Sequence, residues 1–360
     1  MFANKYVEKL KPYPVVSHKA WSLENTIDVL KLDWNEATIP PTPKVKEYIL
    51  KFLEDGHLNW YPDVCNQRLL KLISDYVKLP VENLQYFAGS DSLHEYIVRT
   101  FLEPGDKVLI VAPTYDNFRA VVEATGCHVD YYFLDKNFLM DIDDFMKCLE
   151  NYRPKLVYLC NPNNPTGTLY RFDDLKSIIV RHNDIMFIVD EAYYEFDGIT
   201  CKDLVIEYDN LIISRTFSKA FALASFRIGY AISSKTNIEL LSKVRNPKSI
   251  SAFAQIAAIA ALEDIEYMKN YVKEVNKAKA WFMEELEKLG IKAYGEGGNF
   301  VLISLKSDTK RRLVDFLEQK HIFVRDYSHV RNLENFIRIT IGTRRQMEVV
   351  LEQIRAFGVI

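Results

Sequence analysis

The segment Thr216-Phe217-Ser218-Lys219-Ala220-Phe221-Ala222-Leu223-Ala224-Ser225-Phe226-Arg227-Ile228-Gly229 sets a lysine among apolar and small residues. Phe217, Phe221 and Ala222 would strip water from the Lys219 ammonium. Desolvation lowers an ammonium pKa and makes the amine a nucleophile toward a carbonyl. Hydroxyls at Thr216 and Ser218 precede the lysine, and Arg227 follows it. A guanidinium fork with nearby hydroxyls suits an anionic tail such as a phosphate. Together these side chains fit pyridoxal phosphate held as a Schiff base. A single lysine among alanines is more often an ordinary helix-surface residue, so the reading depends on three further segments.

The first is Asn161-Pro162-Asn163-Asn164-Pro165-Thr166-Gly167, directly after the apolar run Leu156 to Cys160. That is a turn at the carboxyl end of a strand, where open α/β sheets bind ligands. The second is Ile185-Met186-Phe187-Ile188-Val189-Asp190-Glu191-Ala192-Tyr193, a buried parallel-type strand that delivers an acid at its end. Asp190 could cap a helix, or it could keep a pyridinium nitrogen protonated. The third is Phe87-Ala88-Gly89-Ser90-Asp91-Ser92, ahead of the helical run Leu93 to Phe101. Amides at a helix N-terminus cradle phosphate, although Ser and Asp also begin many helices that bind nothing.

The ordered set Gly89-Ser90-Asp91, Asn161 to Gly167, Asp190 to Tyr193 and Thr216 to Gly229 resembles a fold-type I pyridoxal-phosphate aminotransferase, and more narrowly the histidinol-phosphate aminotransferase family. The likeness begins at Leu10-Lys11-Pro12-Tyr13 and runs through Leu32-Asp33-Trp34-Asn35-Glu36 and Tyr61-Pro62-Asp63. It ends at Val324-Arg325-Asp326 and Ile337-Arg338-Ile339-Thr340. The resemblance implies that Lys219 carries the cofactor and then shuttles a proton, with Asp190 on the pyridine nitrogen. Asn164 and Tyr193 would bond the phenolic oxygen and Tyr115 would stack on the ring. Gly89, Ser90, Asp91, Thr216, Ser218 and Arg227 would hold the phosphate. Tyr61 would reach that phosphate from a partner subunit, which implies a homodimer. Tyr13, Asn35, Arg325 and Arg338 would face the substrate.

The chain departs from the family pattern at Ala37-Thr38, Val15 to Lys19, Ser225 and Asp116-Asn117-Phe118, mostly near its start and in the presumed substrate mouth. The resemblance therefore implies glutamate as amino donor and a small phosphorylated ketone as acceptor. That ketone is imidazole acetol phosphate or a smaller acetol phosphate such as dihydroxyacetone phosphate. The alternative is a decarboxylase of a phosphorylated amino acid, of the threonine-phosphate decarboxylase type. A non-catalytic protein on the same scaffold is disfavoured by the intact Lys219, Asp190, Asn164 and Arg227.

At 360 residues, the chain has room for one large core and a smaller lobe. A net charge of −3 argues against nucleic-acid binding through bulk charge. Cys65, Cys127, Cys148, Cys160 and Cys201 are scattered and odd in number, so buried reduced thiols and a cytoplasmic setting are expected. The histidines lack HxxxH or HExxH spacing, and no metal is expected. The start has no signal-peptide core, and no apolar run reaches the roughly 18 residues of a membrane span. Lys310-Arg311-Arg312, flanked by Asp308 and Asp315, reads as a solvated helix face. His94 and His128 read as satisfied structural histidines, and Trp60 as an interface or core aromatic.

The middle of the chain alternates β-branched runs with helical ones: Lys107 to Val111, then Phe118 to Ala124; Lys155 to Cys160, then Leu175 to His182; Ile185 to Val189; Leu211 to Ser214. Such alternation predicts a mostly parallel sheet, of the seven-stranded type, with helices on both faces. Ile250 to Leu262 reads as a buried helix and Tyr267 to Leu289 as a long amphipathic one ended by Gly290. Strands at Ile322 to Asp326 and Phe336 to Ile341, with helices Thr309 to Lys320 and Arg344 to Phe357, predict a small α/β lobe. The expected division is an N-terminal arm over 1–45 packing with the small domain, a large cofactor-binding domain over 46–243, and a small domain with connecting helices over 244–360.

Overall fold

Interior parallel strands are covered on both faces, so their sequences are continuously apolar rather than alternating. The computed structural model, which describes residues 2–12, 19–26 and 28–358, places those runs at the centre of the larger sheet. The strands are β1 (Leu30–Leu32), β2 (Leu84–Phe87), β3 (Lys107–Ala112), β4 (His128–Phe133), β5 (Leu156–Cys160) and β6 (Met186–Asp190). They continue with β7 (Leu211–Thr216), β8 (Gly229–Ser233), β9 (Ala293–Tyr294), β10 (Phe300–Ser304), β11 (Ile322–Asp326) and β12 (Phe336–Thr340).

The large sheet has seven strands in the order β2-β8-β7-β6-β5-β3-β4. β4, β3, β5, β6 and β7 are parallel, and β8 runs against both of its neighbours. Every residue of β5 and β7 is buried. The second sheet runs β1-β11-β12-β10-β9, so three residues near the start of the chain extend a sheet built from its end. The helix Lys5–Glu8 turns the other way. Tyr6 lies against Gly126, where a Cβ would come within 2.5 Å of its ring, beside the helix Asn117–Ala124 of the larger sheet.

The helix Ala252–Leu262 is apolar nearly all round, and it is buried against Pro43–Asp55 and Gln67–Val77. Ser251 caps it, accepting from the Ala254 amide at 3.1 Å. Each fully buried aliphatic or aromatic side chain in this core contributes about 1.5–3 kcal/mol. Ile265–Lys288 packs against Arg344–Phe357, which begins in a capping box of Thr343 and Gln346. Among the described residues no helix is long and apolar enough to cross a membrane.

Three expectations need correcting. Lys310 is not solvated: it is 2 % exposed, and its Nζ donates to Asp326 Oδ1 at 2.8 Å, to Ser328 Oγ and to the Glu334 carbonyl. Its basic neighbours Arg311 and Arg312 do lie in solvent, because Lys310 shares the buried face of its helix with Leu313 and Leu317 and they do not. His128, at the first position of β4, is exposed. Cys65 is exposed as well, whereas Cys127, Cys160 and Cys201 are buried and all the cysteines are free thiols.

Candidate active site

Parallel strands present their carboxyl ends on one edge, and the loops that leave that edge carry most of the chemistry-bearing residues. Asp190 closes β6, Cys160 closes β5, Thr216 closes β7 and Ala112 closes β3. The segment after β1 and the strands β11 and β12 face this edge from the second sheet. A cavity of about 1460 Å³ lies between them, with Lys219, Asp190, Asn164, Arg227, Arg325 and Arg338 on its wall.

Lys219 Nζ donates to the Trp34 carbonyl at 2.9 Å. Its pKa is pushed down to about 8, chiefly by burial, with Arg338 and Arg227 adding to the effect and Glu36 and Asp91 opposing it. An amine so placed holds a reactive neutral fraction near neutral pH.

Asp190 is held from several directions. Its Oδ2 accepts from the Tyr158 hydroxyl at 2.7 Å, and its Oδ1 accepts from Ser214 Oγ at 3.0 Å and the Ala192 amide at 3.1 Å. Burial pushes the Tyr158 phenol well above its ordinary range, so its proton stays available for donation. His94 Nε2 lies 3.0 Å from Ser214 Oγ and 3.9 Å from Asp190 Oδ2.

The third feature is an anion cradle. Gly89 opens the helix Gly89–Phe101 at φ +82°, and Ser90 and Asp91 form its first turn. A helix N-terminus with unpaired amides favours negative charge. Arg227, itself at φ +53°, sends Nη2 to within 3.2 Å of Asp91 Oδ2 and Nη1 to 3.4 Å from Ser218 Oγ. Thr216 Oγ1 donates to Ser218 Oγ at 2.9 Å, and the Tyr115 hydroxyl donates to Asp91 Oδ1 at 3.1 Å. A Cβ at Gly229 would stand 3.1 Å from the Ser90 amide nitrogen and 2.6 Å from the Arg215 carbonyl, so only glycine leaves this cup its shape.

Opposite the cradle, Arg325 on β11 pairs in register with Arg338 on β12, and both are buried. Arg338 donates through Nη1 to Asn164 Oδ1 and, at 2.9 Å, to the Tyr327 hydroxyl; its Nη2 reaches the Asp33 carbonyl. Tyr193 packs its ring edge-on to Phe300, and burial holds its phenol above the usual range.

Not every predicted site residue meets this cavity. Asn35 is fully buried and off the cavity wall. Its Nδ2 donates to the Tyr193 hydroxyl at 3.0 Å and its Oδ1 accepts from Thr340 Oγ1 at 3.1 Å. It is thus placed to steady Tyr193 rather than to touch substrate. Tyr61 is 76 % exposed, outside the cavity, with Lys248 Nζ 4.5 Å from its ring centroid. Tyr13 lies outside the described residues. The sequence reading missed Trp34, Tyr158, Ser214 and Tyr327. The available signal was a polar side chain in an apolar buried strand, Tyr158 in β5 and Ser214 in β7, which must find a partner.

A lysine with a depressed pKa, a braced carboxylate and an anion cup on one cavity fit the aldehyde, pyridine and phosphate of pyridoxal 5′-phosphate. Residues 27–354 match the family model "Aminotransferase class I and II". The chain is 49% identical to a dihydroxyacetone phosphate transaminase of Campylobacter jejuni, over 99% of this chain and 98% of that one. It is 38% identical to a histidinol-phosphate aminotransferase of Ruminiclostridium cellulolyticum, over 91% of this chain and 92% of that one. The crystal structure of histidinol-phosphate aminotransferase from Sinorhizobium meliloti in complex with pyridoxal 5′-phosphate superposes with a TM-score of 0.88 at 25% identity, covering 99% and 98% of the two chains. The chain belongs to the class I and II aminotransferases and is a fold-type I transaminase that works with pyridoxal 5′-phosphate.

Proposed function

We propose that this transaminase moves an amino group from glutamate to a small acetol phosphate of the dihydroxyacetone phosphate type. The observation that carries this reading is the buried pair Arg325 and Arg338, side by side on the cavity that holds Lys219. Two guanidinium forks match an acceptor's phosphate in one half of the cycle and a donor's carboxylate in the other. Similarity to the Campylobacter enzyme favours the smaller ketone over the imidazole-bearing one.

When bound, pyridoxal 5′-phosphate supplies the carbonyl that accepts the amino group and a ring that draws electrons from the substrate carbon. Lys219 holds and moves the proton at that carbon, which its lowered pKa favours. Asp190 would pair with the pyridine nitrogen. Asn164 and Tyr193 would bond the phenolic oxygen, and Tyr115 would stack on the ring. The amides of Gly89, Ser90 and Asp91, the hydroxyls of Thr216 and Ser218, and Arg227 would hold the phosphate.

Tyr61 completes that cup from a second copy, so the working enzyme is a homodimer. Exposed Leu58, Trp60 and Tyr61, within four positions of the chain, support such an interface. We place the enzyme in the cytoplasm, which its free cysteines support. Residues 46–243 form the large part, with 1–45 and 244–360 as arm and small part. The pairing of β1 with β11 supports grouping the last two, although Tyr6 touches the large part.

The test is a half-reaction followed by absorbance. The purified enzyme is converted to its amine form with glutamate, then offered dihydroxyacetone phosphate and imidazole acetol phosphate separately. Return of the aldehyde-form band with dihydroxyacetone phosphate alone is expected. Return with the imidazole compound alone overturns the substrate assignment. Failure of every amino donor would move the chain to decarboxylation of a phosphorylated amino acid.

A further inference from the structure

We infer that His94 is a positioning residue for the cofactor's ring nitrogen, acting through Ser214 on Asp190; this rests on Asp190 facing that nitrogen. The hydrogen bonds fix the direction of the relay. Ser214 has one hydroxyl proton, and it goes to Asp190 Oδ1 at 3.0 Å. At the 3.0 Å contact with His94 Nε2, Ser214 Oγ must therefore accept, so Nε2 carries the proton. His94 donates to Ser214, and Ser214 donates to Asp190.

The imidazole has little freedom to do anything else. It is 2 % exposed, and Phe118 and Tyr158 meet it edge-on with centroids 5.6 Å away. Phe118 stacks on Tyr158 at 4.6 Å, and Tyr158 donates to the other oxygen of Asp190. A histidine that only filled space here would need no bond path ending on the carboxylate. Position in the helix adds a second constraint. His94 lies four residues beyond Ser90, one turn into Gly89–Phe101. The helix that would offer its N-terminus to the cofactor's phosphate therefore also steadies the acid assigned to the ring nitrogen.

This predicts a dependence on the ring nitrogen itself. Full-length enzyme is stripped of cofactor and retitrated, by quenching of its tryptophan fluorescence, with pyridoxal 5′-phosphate and with its 1-deaza analogue, in which C–H replaces the nitrogen. His94→Ala should weaken the natural cofactor about tenfold, as expected for losing a hydrogen bond that supports a charged acceptor, and change the analogue less than about twofold. Ser214→Ala should behave alike and carries the test should His94→Ala not fold. His94→Gln, which keeps an N–H donor, should recover most of the loss. Equal weakening of both ligands, or of neither, overturns the inference and leaves His94 as core packing. Asp190→Asn must also separate the two ligands; if it does not, the assignment of Asp190 falls and this inference falls with it.

Discussion

Lys219 Nζ donates to the backbone carbonyl of Trp34 across 2.9 Å, so the amine on the large sheet is held by the segment that follows β1 in the other sheet. Burial, with Arg338 and Arg227 nearby, gives Lys219 a folded-state pKa near 8, below its ordinary 10.5. Between those values the unfolded chain binds more protons, so stability of the cofactor-free protein rises as pH climbs from about 8 to 10.5. Lys219→Met should be more stable than the parent at pH 7 by on the order of 1–2 kcal/mol, allowing for the amine's opening onto the cavity. That advantage should fade by pH 10.5 in denaturant titrations, and an advantage that stays constant with pH would contradict the lowered pKa. The same variant should lose turnover by about a thousandfold or more, the scale of a missing acid–base group.

The two cavity arginines should separate kinetically. The Arg325 guanidinium has no hydrogen bond to protein among the described residues, whereas that of Arg338 also holds Asn164 and Tyr327. Arg325→Gln should raise KM for the phosphorylated acceptor roughly 10- to 100-fold with kcat little changed. Arg338→Lys should lower kcat as well, because an ammonium cannot fork between Asn164, Tyr327 and the Asp33 carbonyl. Steady-state rates decide; a pure KM effect at Arg338 would argue against its positioning part.

Asn35 offers a clean stability test. Its φ of +56° is one glycine accepts readily, so Asn35→Gly removes the side-chain bonds with little backbone cost. Tyr193 and Thr340 would lose their shared buried partner, a loss of about 1–3 kcal/mol. The urea midpoint should fall with the slope unchanged. No fall would mean that water replaces both bonds.

Glu195 should make stability depend on mild acidity. Burial raises its carboxyl to about 7, Tyr76 donates to its Oε1 at 3.3 Å, and Oε2 has no partner. The folded protein holds a proton that the unfolded chain has lost between about 4.5 and 7, so this contribution is present at low pH and lost as pH rises through 7. Glu195→Gln should stabilise the protein at pH 8 by on the order of 2–3 kcal/mol and flatten the pH dependence between those limits. Parallel thermal-melting curves for the two proteins from pH 5 to 8 would rule this out.

Local features were legible in the chain alone. Gly89-Ser90-Asp91, the turn after Cys160, Asp190 at its strand end and Lys219 with Arg227 each lie in one continuous stretch, because backbone turns and strand ends present their groups over a few residues. The apolar runs likewise specified β5, β6 and β7 as interior strands, since only a strand covered on both faces is apolar throughout. Hydrophobic pattern tells which way a side chain faces but not which polar group waits there. So only the packed sheets joined Asn35 to Tyr193 across 158 positions, Lys219 to Trp34 across 185 and His94 to Ser214 across 120. The same blindness put Lys310 in solvent on paper. Three oxygens supplied by Asp326, Ser328 and Glu334 allow that ammonium to be buried, and they come together only when the turn between β11 and β12 closes over its helix.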